Sequence, residues 1–296
     1  MLRFAKITGM GQVEIGISGW TYQGWRGTFY PENLSHKKEL EYASRELPTI
    51  EINGTFYSLQ RPSSYEHWYE STPEHFIFAV KANRYISHVK RLKDVEVPMA
   101  NFIASGPLAL KEKLGPFLWQ FPPSMKFDPD RFEKFLNLLP KDFAAAAKLG
   151  KKAEIPKDRQ YLHYEKNFKM RHAVEVRHFS FLNPWFVEML RDHNVAIVFA
   201  DTAGRWPYLE DITADFIYVR LHGDSELYVS GYDGETLNFW SDRIKAWLKG
   251  REAKDRLTIT DDKISPIERD VFVYFDNDAK VRAPVDAMEL INRLAA

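Results

Sequence analysis

Eight short apolar runs, each closed by Gly, Pro, Asn or Asp and separated by stretches of helical period, constrain this chain more than any other feature. The runs Glu14–Trp20, Thr49–Tyr57, Phe76–Asn83, Pro116–Phe121, His172–Arg177, Val195–Asp201, Phe216–His222 and Val271–Asp276 are rich in β-branched and aromatic residues and read as strands. Between them, Leu40, Ala43 and Leu47 follow Ser35, a candidate N-cap. Asp128-Pro129 opens a stripe of Phe132, Phe135, Leu136 and Leu139, and Asn183-Pro184 repeats that start signal before Phe186, Met189 and Leu190. Leu237, Trp240, Ile244 and Trp247 mark a further helix, and Ala287, Leu290, Ile291 and Leu294 the last. Alternation of strand and helix implies parallel strands joined by crossovers. Eight such units predict one α/β domain over residues 1–296, a TIM (β/α)8-type barrel with outer helices. Pro140–Lys169 and Gly250–Arg269 break the alternation and are expected as surface elaborations or mobile loops.

Composition narrows the functional classes. A chain of 296 residues buries a full core unaided, and the absence of cysteine removes disulfide scaffolds, zinc ribbons, thiol nucleophiles and iron–sulfur centres. Lys and Arg, 41 in all, balance 41 Asp and Glu, which argues against nucleic-acid binding through bulk positive charge and leaves room for a local basic patch. Apolar runs fall well short of the roughly 20 residues that cross a bilayer. The opening MLRFAKITGMGQ lacks the apolar core of a leader peptide. The expectation is a soluble cytoplasmic protein without a membrane partner.

Side chains alternate faces along a strand, so one parity faces the helices and the other the barrel axis. The apolar phase holds Ile50, Ile52 and Phe56 in the second run, Phe76, Phe78 and Val80 in the third, and Val174 and Val176 in the fifth. In the last two it holds Ile217, Val219 and Leu221, then Val271, Val273 and Phe275. The opposite phase turns polar toward each C-terminal end, where barrels of this type carry their active sites. That mouth is expected to gather Glu51, Glu175 and Asp276 against Lys81, Arg177 and Arg220, with His222, Asn53, Asn83 and Gln120 between them and Asp201 pointing the same way. The same residues also read as an ion-pair lattice filling the barrel end, since buried charges must satisfy one another. Charges retained at a concave face favour a polar ligand instead.

The motifs GISGWTYQGWRGTFYP (Gly16–Pro31), EINGTFY (Glu51–Tyr57), the Lys81…His88 pair, LWQFPP (Leu118–Pro123), VEVRH (Val174–His178), YVRLHG (Tyr218–Gly223) and VYFDND (Val273–Asp278) occur in order along nearly the whole chain. Their sequence resembles the YecE-like family, a domain of unknown function (number 72). The resemblance implies a single TIM-type barrel, likened to apurinic endonuclease and xylose isomerase barrels, and implies no established reaction.

The residues themselves suggest three chemistries. Lys81, Arg177 and Arg220, supported by Asn53, Asn83 and Gln120, suit a phosphate or carboxylate, and Arg84, His88, Lys90, Arg91 and Lys93 add a basic loop suited to a phosphodiester backbone. His88 also falls in one of the quoted motifs. Trp20, Tyr22 and Tyr57 are candidates to stack a base or sugar, and Gly223–Gly234 is a candidate lid. Glu175 and His222 are candidate proton-transfer groups, with Glu51 as a second carboxylate.

Glu175, Asp201, His222 and Asp276 close four consecutive strands and suit one magnesium or manganese ion, although Arg177 and Arg220 stand close by as competing counter-charges. No phosphate loop, dinucleotide fingerprint or His-Glu-x-x-His motif is present, so no cofactor is assigned. The expected function is a hydrolase acting on a phosphodiester or a small phosphorylated substrate. The alternatives are a sugar isomerase, epimerase or glycosidase, and a non-catalytic nucleic-acid binder.

Overall fold

The computed structural model describes residues 11–262 and 264–295, so the residues before Gly11 that were read for a leader peptide lie outside it. Eight strands close in chain order into an all-parallel barrel: β1 (Val13–Ser18), β2 (Thr49–Ile52), β3 (Ile77–Lys81), β4 (Leu114–Gln120), β5 (His172–Glu175), β6 (Ala196–Asp201), β7 (Phe216–Leu221) and β8 (Asp270–Phe275). The surrounding helices are α1 (Glu39–Glu46), α2 (Gly54–Tyr57), α3 (Pro62–Ser71), α4 (Glu96–Ala104), α5 (Pro129–Leu138), α6 (Phe143–Gly150), α7 (Pro184–His193), α8 (Gly234–Leu248) and α9 (Arg282–Ala295). The architecture is that of an α/β barrel of the TIM type.

Two helix starts form as their sequence dictates. Asp128 accepts from the Arg131 backbone N–H at 3.1 Å, Asn183 from that of Trp185 at 3.0 Å, and in each case proline supplies the first helical residue. Ser35 makes no capping bond; it precedes a short 3₁₀ turn, His36–Lys38, and α1 begins only after it.

The second run is shorter than its apolar pattern suggests. β2 stops at Ile52 because Asn53 and Gly54 turn the chain into α2, so Thr55 and Phe56 leave the strand phase. Thr55 Oγ1 then donates to the carbonyls of Ile52 (3.0 Å) and Lys81 (2.7 Å), which ties this turn to the end of β3.

Apolar side chains fall into two layers. One lies between the sheet and the helices, and includes Ile50, Ile52, Phe78, Val80, Val219, Leu221 and Phe275. The other fills the lumen, where Ala79, Ala173, Ala196 and Ala200 complement the large rings of Phe216, Tyr218, Phe272 and Tyr274. Small residues on β3, β5 and β6 thus make room for bulky ones on β7 and β8, which keeps the interior close-packed.

Strand and helix do not alternate throughout. Among the described residues, the crossover 202–215 between β6 and β7 carries no helix. Leu257, Ile259 and Thr260, from the stretch Gly250–Arg269 expected as a surface elaboration or mobile loop, pack there. Asp211 accepts from the backbone N–H groups of Ile259 (2.9 Å) and Thr260 (3.1 Å), Glu210 N–H donates to the Leu257 carbonyl at 2.8 Å, and Arg191 of α7 reaches Thr260 at 2.9 Å. A carboxylate fork thus satisfies backbone groups that a helix would have paired internally.

At the N-terminal end of the barrel, Glu14 shares a cavity with Asp270 and Phe272. Burial, reinforced by the Asp270 charge, pushes its carboxyl up to about 8. A carboxyl that binds its proton more tightly in the fold than in the unfolded chain withdraws stability as pH climbs from the ordinary glutamate range to that raised value. Glu14→Gln is therefore expected to raise the melting temperature at pH 8 and leave it nearly unchanged at pH 4. Calorimetry at the two pH values measures this; an equal shift at both would show that Glu14 is not held protonated.

Candidate active site at the barrel mouth

The inward phase turns polar at the C-terminal end of seven strands: Ser18, Glu51, Lys81, Gln120, Glu175, Arg220 and Asp276 follow the lumen-facing positions of their strands. The exception is β6, which contributes Ala200. Asp201, one residue further, shares the phase of Ile197 and Phe199 and so faces the helix side, where it accepts from the Tyr232 hydroxyl at 3.1 Å. It does not join the mouth, because a shift of one residue along a strand reverses the face.

Arg220 is the centre of the polar layer and has no exposed surface. Its Nε and Nη2 donate to the two oxygens of Glu51 at 3.1 and 2.9 Å, Nη1 to Glu175 at 2.7 Å, and Nη2 again to Asp276 at 2.8 Å and Ser18 at 3.3 Å. Glu51 also accepts from Tyr218 (2.6 Å) and Ser18 (2.8 Å). His222 closes the ring, with Nε2 lying 3.2 Å from Arg220 Nη1 and Nδ1 lying 3.1 Å from Asp276. Burial opposes ionisation of Glu175 and Asp276, yet Arg177 and Arg220 hold Glu175, and Arg220 and His222 hold Asp276, well below the usual carboxylate range.

This geometry bears on several expectations. Glu51, Glu175 and His222 have no exposure and face Arg220; the oxygens of the two glutamates are taken by donors, while His222 Nδ1 lies near Asp276 without a hydrogen bond. Arg220 has no donor left for an external anion. The lattice reading describes this layer. The four-residue metal set is not assembled either: Asp201 faces the other way, guanidinium donors occupy the oxygens of Glu175 and Asp276, and among the described residues no group of His, Asp and Glu is arranged to hold a metal ion.

Other candidates are structural in part. Asn83 donates to the Thr55 carbonyl and accepts from the Tyr85 backbone, each at 3.0 Å, which uses both ends of its amide. Tyr22 lies on Trp25 with ring centroids 4.5 Å apart and donates to the Ser18 carbonyl at 2.5 Å. Trp20 packs edge-on against Trp68. Asn53 neighbours the Tyr22 hydroxyl, Gln120 closes β4 on the inward phase, and Tyr57 stands 70% exposed at the rim. The candidate lid is anchored at Tyr232, whose hydroxyl accepts from the Gly223 N–H at 3.1 Å and whose N–H donates to Asp286 at 3.0 Å.

Positive charge that the lattice does not neutralise lies at the edge of this layer. Lys81 takes no part in the ion pairs around Arg220, and its ammonium sits over the Phe56 ring, 4.6 Å from the centroid. Burial and the nearby Arg220 charge bring it down to about 8. His88 packs edge-on against the same ring; burial, then the charges of Arg177, Lys81 and Arg84, lower it to about 4 and keep it neutral at physiological pH. Arg177 donates to Glu175 at 2.7 Å and to the Tyr228 hydroxyl at 3.3 Å, while its guanidinium stacks 3.7 Å from the Trp206 ring. Beside it opens a cavity of about 740 Å³ lined by Arg177, Arg205, Trp206, Ser225, Glu226 and Tyr228.

Arg205 and Trp206 were not among the sequence candidates, and Tyr228 entered only as part of the candidate lid Gly223–Gly234. Arg205 and Trp206 sit in Gly204-Arg205-Trp206-Pro207 directly after β6, and a tryptophan beside an arginine in a strand-end loop was the available signal. Asp278, inside the quoted VYFDND motif, was also missed; burial and the adjacent Asp276 push its carboxyl up to about 8, so it stands protonated beside Tyr22.

A closed eight-stranded α/β barrel with a charged C-terminal mouth is the class of protein these features define. The chain matches the family model described as "Protein of unknown function DUF72" over residues 14–296, and it belongs to that family. A solved DUF72 family protein from Thermotoga maritima superposes with a TM-score of 0.71 at 26% identity, covering 96% of this chain and 100% of that one. One from Enterococcus faecalis gives 0.66 at 18% identity, covering 96% of each chain, and speaks for the fold alone. UPF0759 protein YunF of Bacillus subtilis is 31% identical over 119 residues, a stretch that covers 38% of this chain and 40% of YunF. Among the described residues no helix is long and apolar enough to cross a membrane.

Removing the central guanidinium leaves three carboxylates facing one another out of water. Arg220→Met is expected to destabilise the protein by about 3–5 kcal/mol near neutral pH, the usual cost of breaking a buried ion pair. The loss should shrink at pH 4, where protonation relieves the repulsion. Urea unfolding at both pH values measures it, and a loss below about 1 kcal/mol at neutral pH would contradict the lattice.

Proposed function

We propose that this protein binds a phosphorylated ligand in the cavity beside Arg177 and hydrolyses a phosphoester bond in it. The observation that carries the reading is the gathering of Lys81 and Arg84, 4.6 and 5.9 Å from the Phe56 ring, around His88, which packs edge-on against the same ring and also feels the Arg177 charge. Glu51, Glu175 and Asp276 serve Arg220 as well as Arg177 and Lys81, so three carboxylates answer four cations once Arg84 is counted, and an anion relieves the excess. Arg177, fixed by Glu175 and stacked on Trp206, presents its remaining donors to the cavity together with Arg205. Trp206 offers an aromatic wall for the organic part of the ligand.

The anion-holding role thus moves from Arg220, which is saturated, to Arg177 and Arg205. Proton transfer moves from Glu175 and His222 to Lys81 and His88. Lys81, with its ammonium brought down to about 8, is mostly protonated at neutral pH and suits donation to a leaving alkoxide. His88 is neutral and accepts a proton from attacking water; an anion bound among its cationic neighbours raises its affinity for that proton. Glu51, Glu175, Asp276 and Arg220 set the position of Arg177 and the field around Lys81.

Bis(4-nitrophenyl) phosphate and a set of phosphosugars test the reading. Cleavage of the phosphosugars, whose leaving alkoxides need a proton, should fall as pH rises through about 8, because the acid form of Lys81 is lost. Lys81→Gln should lower kcat on the phosphosugars by roughly a hundredfold, the scale of a general acid, and affect bis(4-nitrophenyl) phosphate less. Arg177→Met together with Arg205→Met should mainly weaken binding of inorganic phosphate in calorimetry. If phosphate binds equally well to that double variant and none of these esters is cleaved, the proposal fails.

A further inference from the structure

The rim on one side of the mouth is both aromatic and basic. Tyr57 of α2, Tyr85 in the loop after β3, and Phe179 and Trp185 in the segment after β5 are each half exposed or more. Tyr57 stands edge-on to Phe56 at 5.1 Å, and the Arg84 guanidinium lies 5.9 Å from the centroid of the same Phe56 ring. Arg91 donates to Ser124 at 3.3 Å, and the Phe127 N–H donates to the Ser180 hydroxyl at 2.8 Å. The loops after β2, β3, β4 and β5 are thereby joined into one arc.

From Arg84 to Lys93 the chain carries four cationic side chains, Arg84, Lys90, Arg91 and Lys93, and no acid. Arg84, Arg91 and Lys93 are exposed, and among the described residues none of the four forms an ion pair. Asp94 is the first acid beyond them; Glu96 is paired with Lys152, and Asp128 with Arg131. The loop is also built to present its side chains. Its first turn, Tyr85–Val89, is π-helical and buries Ile86 and Ser87 while Tyr85 and Val89 face water. Arg91 and Leu92 then take left-handed backbone, φ 48° and 63°, with Leu92 buried as the anchor and Arg91 outside. Strained backbone of this kind clusters where side chains are held for a ligand.

Single exposed rings are ordinary, but rings gathered on one arc beside unneutralised cations are not. The partner must offer a run of negative charge together with flat apolar faces. A phosphodiester chain with unpaired bases meets both demands, since phosphates answer the Arg and Lys side chains and bases stack on the rings. A duplex keeps its bases stacked within, out of reach of the rim. The inner edge of the arc is His88, which feels the charges of Arg177 and Lys81, so the arc borders the cavity beside Arg177. A flexible strand can follow that concave border, and a flat bilayer cannot. We propose that this arc binds single-stranded nucleic acid and leads it to the mouth. As the identity of the ester cleaved there, this rests on the phosphoester reading; as a binding surface it stands without it.

Fluorescence anisotropy of the full chain with labelled oligothymidylate and oligouridylate of about ten nucleotides, and with a duplex of equal length, tests this. Binding of either single strand supports the arc, and the tighter one identifies the sugar. If each of the four cations meets a phosphate, log K falls against log salt with a slope of about −3, a roughly fiftyfold loss between about 50 and 200 mM salt. Arg91→Gln with Lys93→Gln should make that slope shallower by about 1.4. Tyr85→Ala with Trp185→Ala should weaken single strands at least about tenfold and leave the slope unchanged. All four positions are exposed, and melting curves check that the variants fold. Inorganic phosphate should bind the Arg91 and Lys93 variant as it binds the parent, so strand binding and the phosphoester reading fail separately. No binding at low salt, duplex binding as tight as that of single strands, or an unchanged slope in the Arg91 and Lys93 variant would overturn the proposal. Binding of phosphatidylserine vesicles in place of the oligonucleotides would do so too.

Discussion

Arg220 is the constraint on which the upper half of this barrel depends. A guanidinium taken wholly out of water is tolerated only when its donors are used, and here they are spent on residues of β1, β2, β5 and of the turn after β8. One side chain from β7 therefore ties together four other parts of the wall across the lumen. Carboxylates meeting at that point cannot be rearranged singly, since each accepts a bond that another charge requires. The rigidity of the mouth follows from this mutual commitment, as does the fixed place of Arg177, which hangs from the outer oxygen of Glu175.

The division of labour in the polar layer is set by access. Residues at its centre hold one another, while those at its margin, Lys81, His88 and Arg177, keep unspent capacity. Locking a carboxylate between two guanidinium groups makes Glu175 a permanent anion, and that anion orients Arg177 toward the cavity beside Trp206. Pre-positioned charge of this kind reduces the reorganisation that binding requires.

Much of the architecture was legible in the sequence because periodicity reports face. Each of the eight runs overlaps one strand, with β1, β4 and β8 beginning one or two residues earlier, and the inward set Glu51, Glu175, Arg220 and Asp276 follows from parity alone. Parity does not report partners. Nothing in the spacing of Arg220 shows that it takes three carboxylates rather than an external anion, because those groups meet only after the barrel closes. Asp201 escaped by a single position, since a strand's last residue is assigned a face only when its neighbours' faces are known. Arg205 and Trp206 lie in a loop without period, where pattern carries no direction.

The helix-free crossover between β6 and β7 has a consequence for the order in which the molecule is completed. Its cover comes from Leu257, Ile259 and Thr260, which leave a ribosome some forty to sixty positions after the stretch they protect. During vectorial synthesis the outer flank of the sixth and seventh strands stays bare until that late segment emerges. Nascent chains halted before it would display an unclothed strand pair, the sort of surface that chaperones capture and that seeds association between unfinished copies.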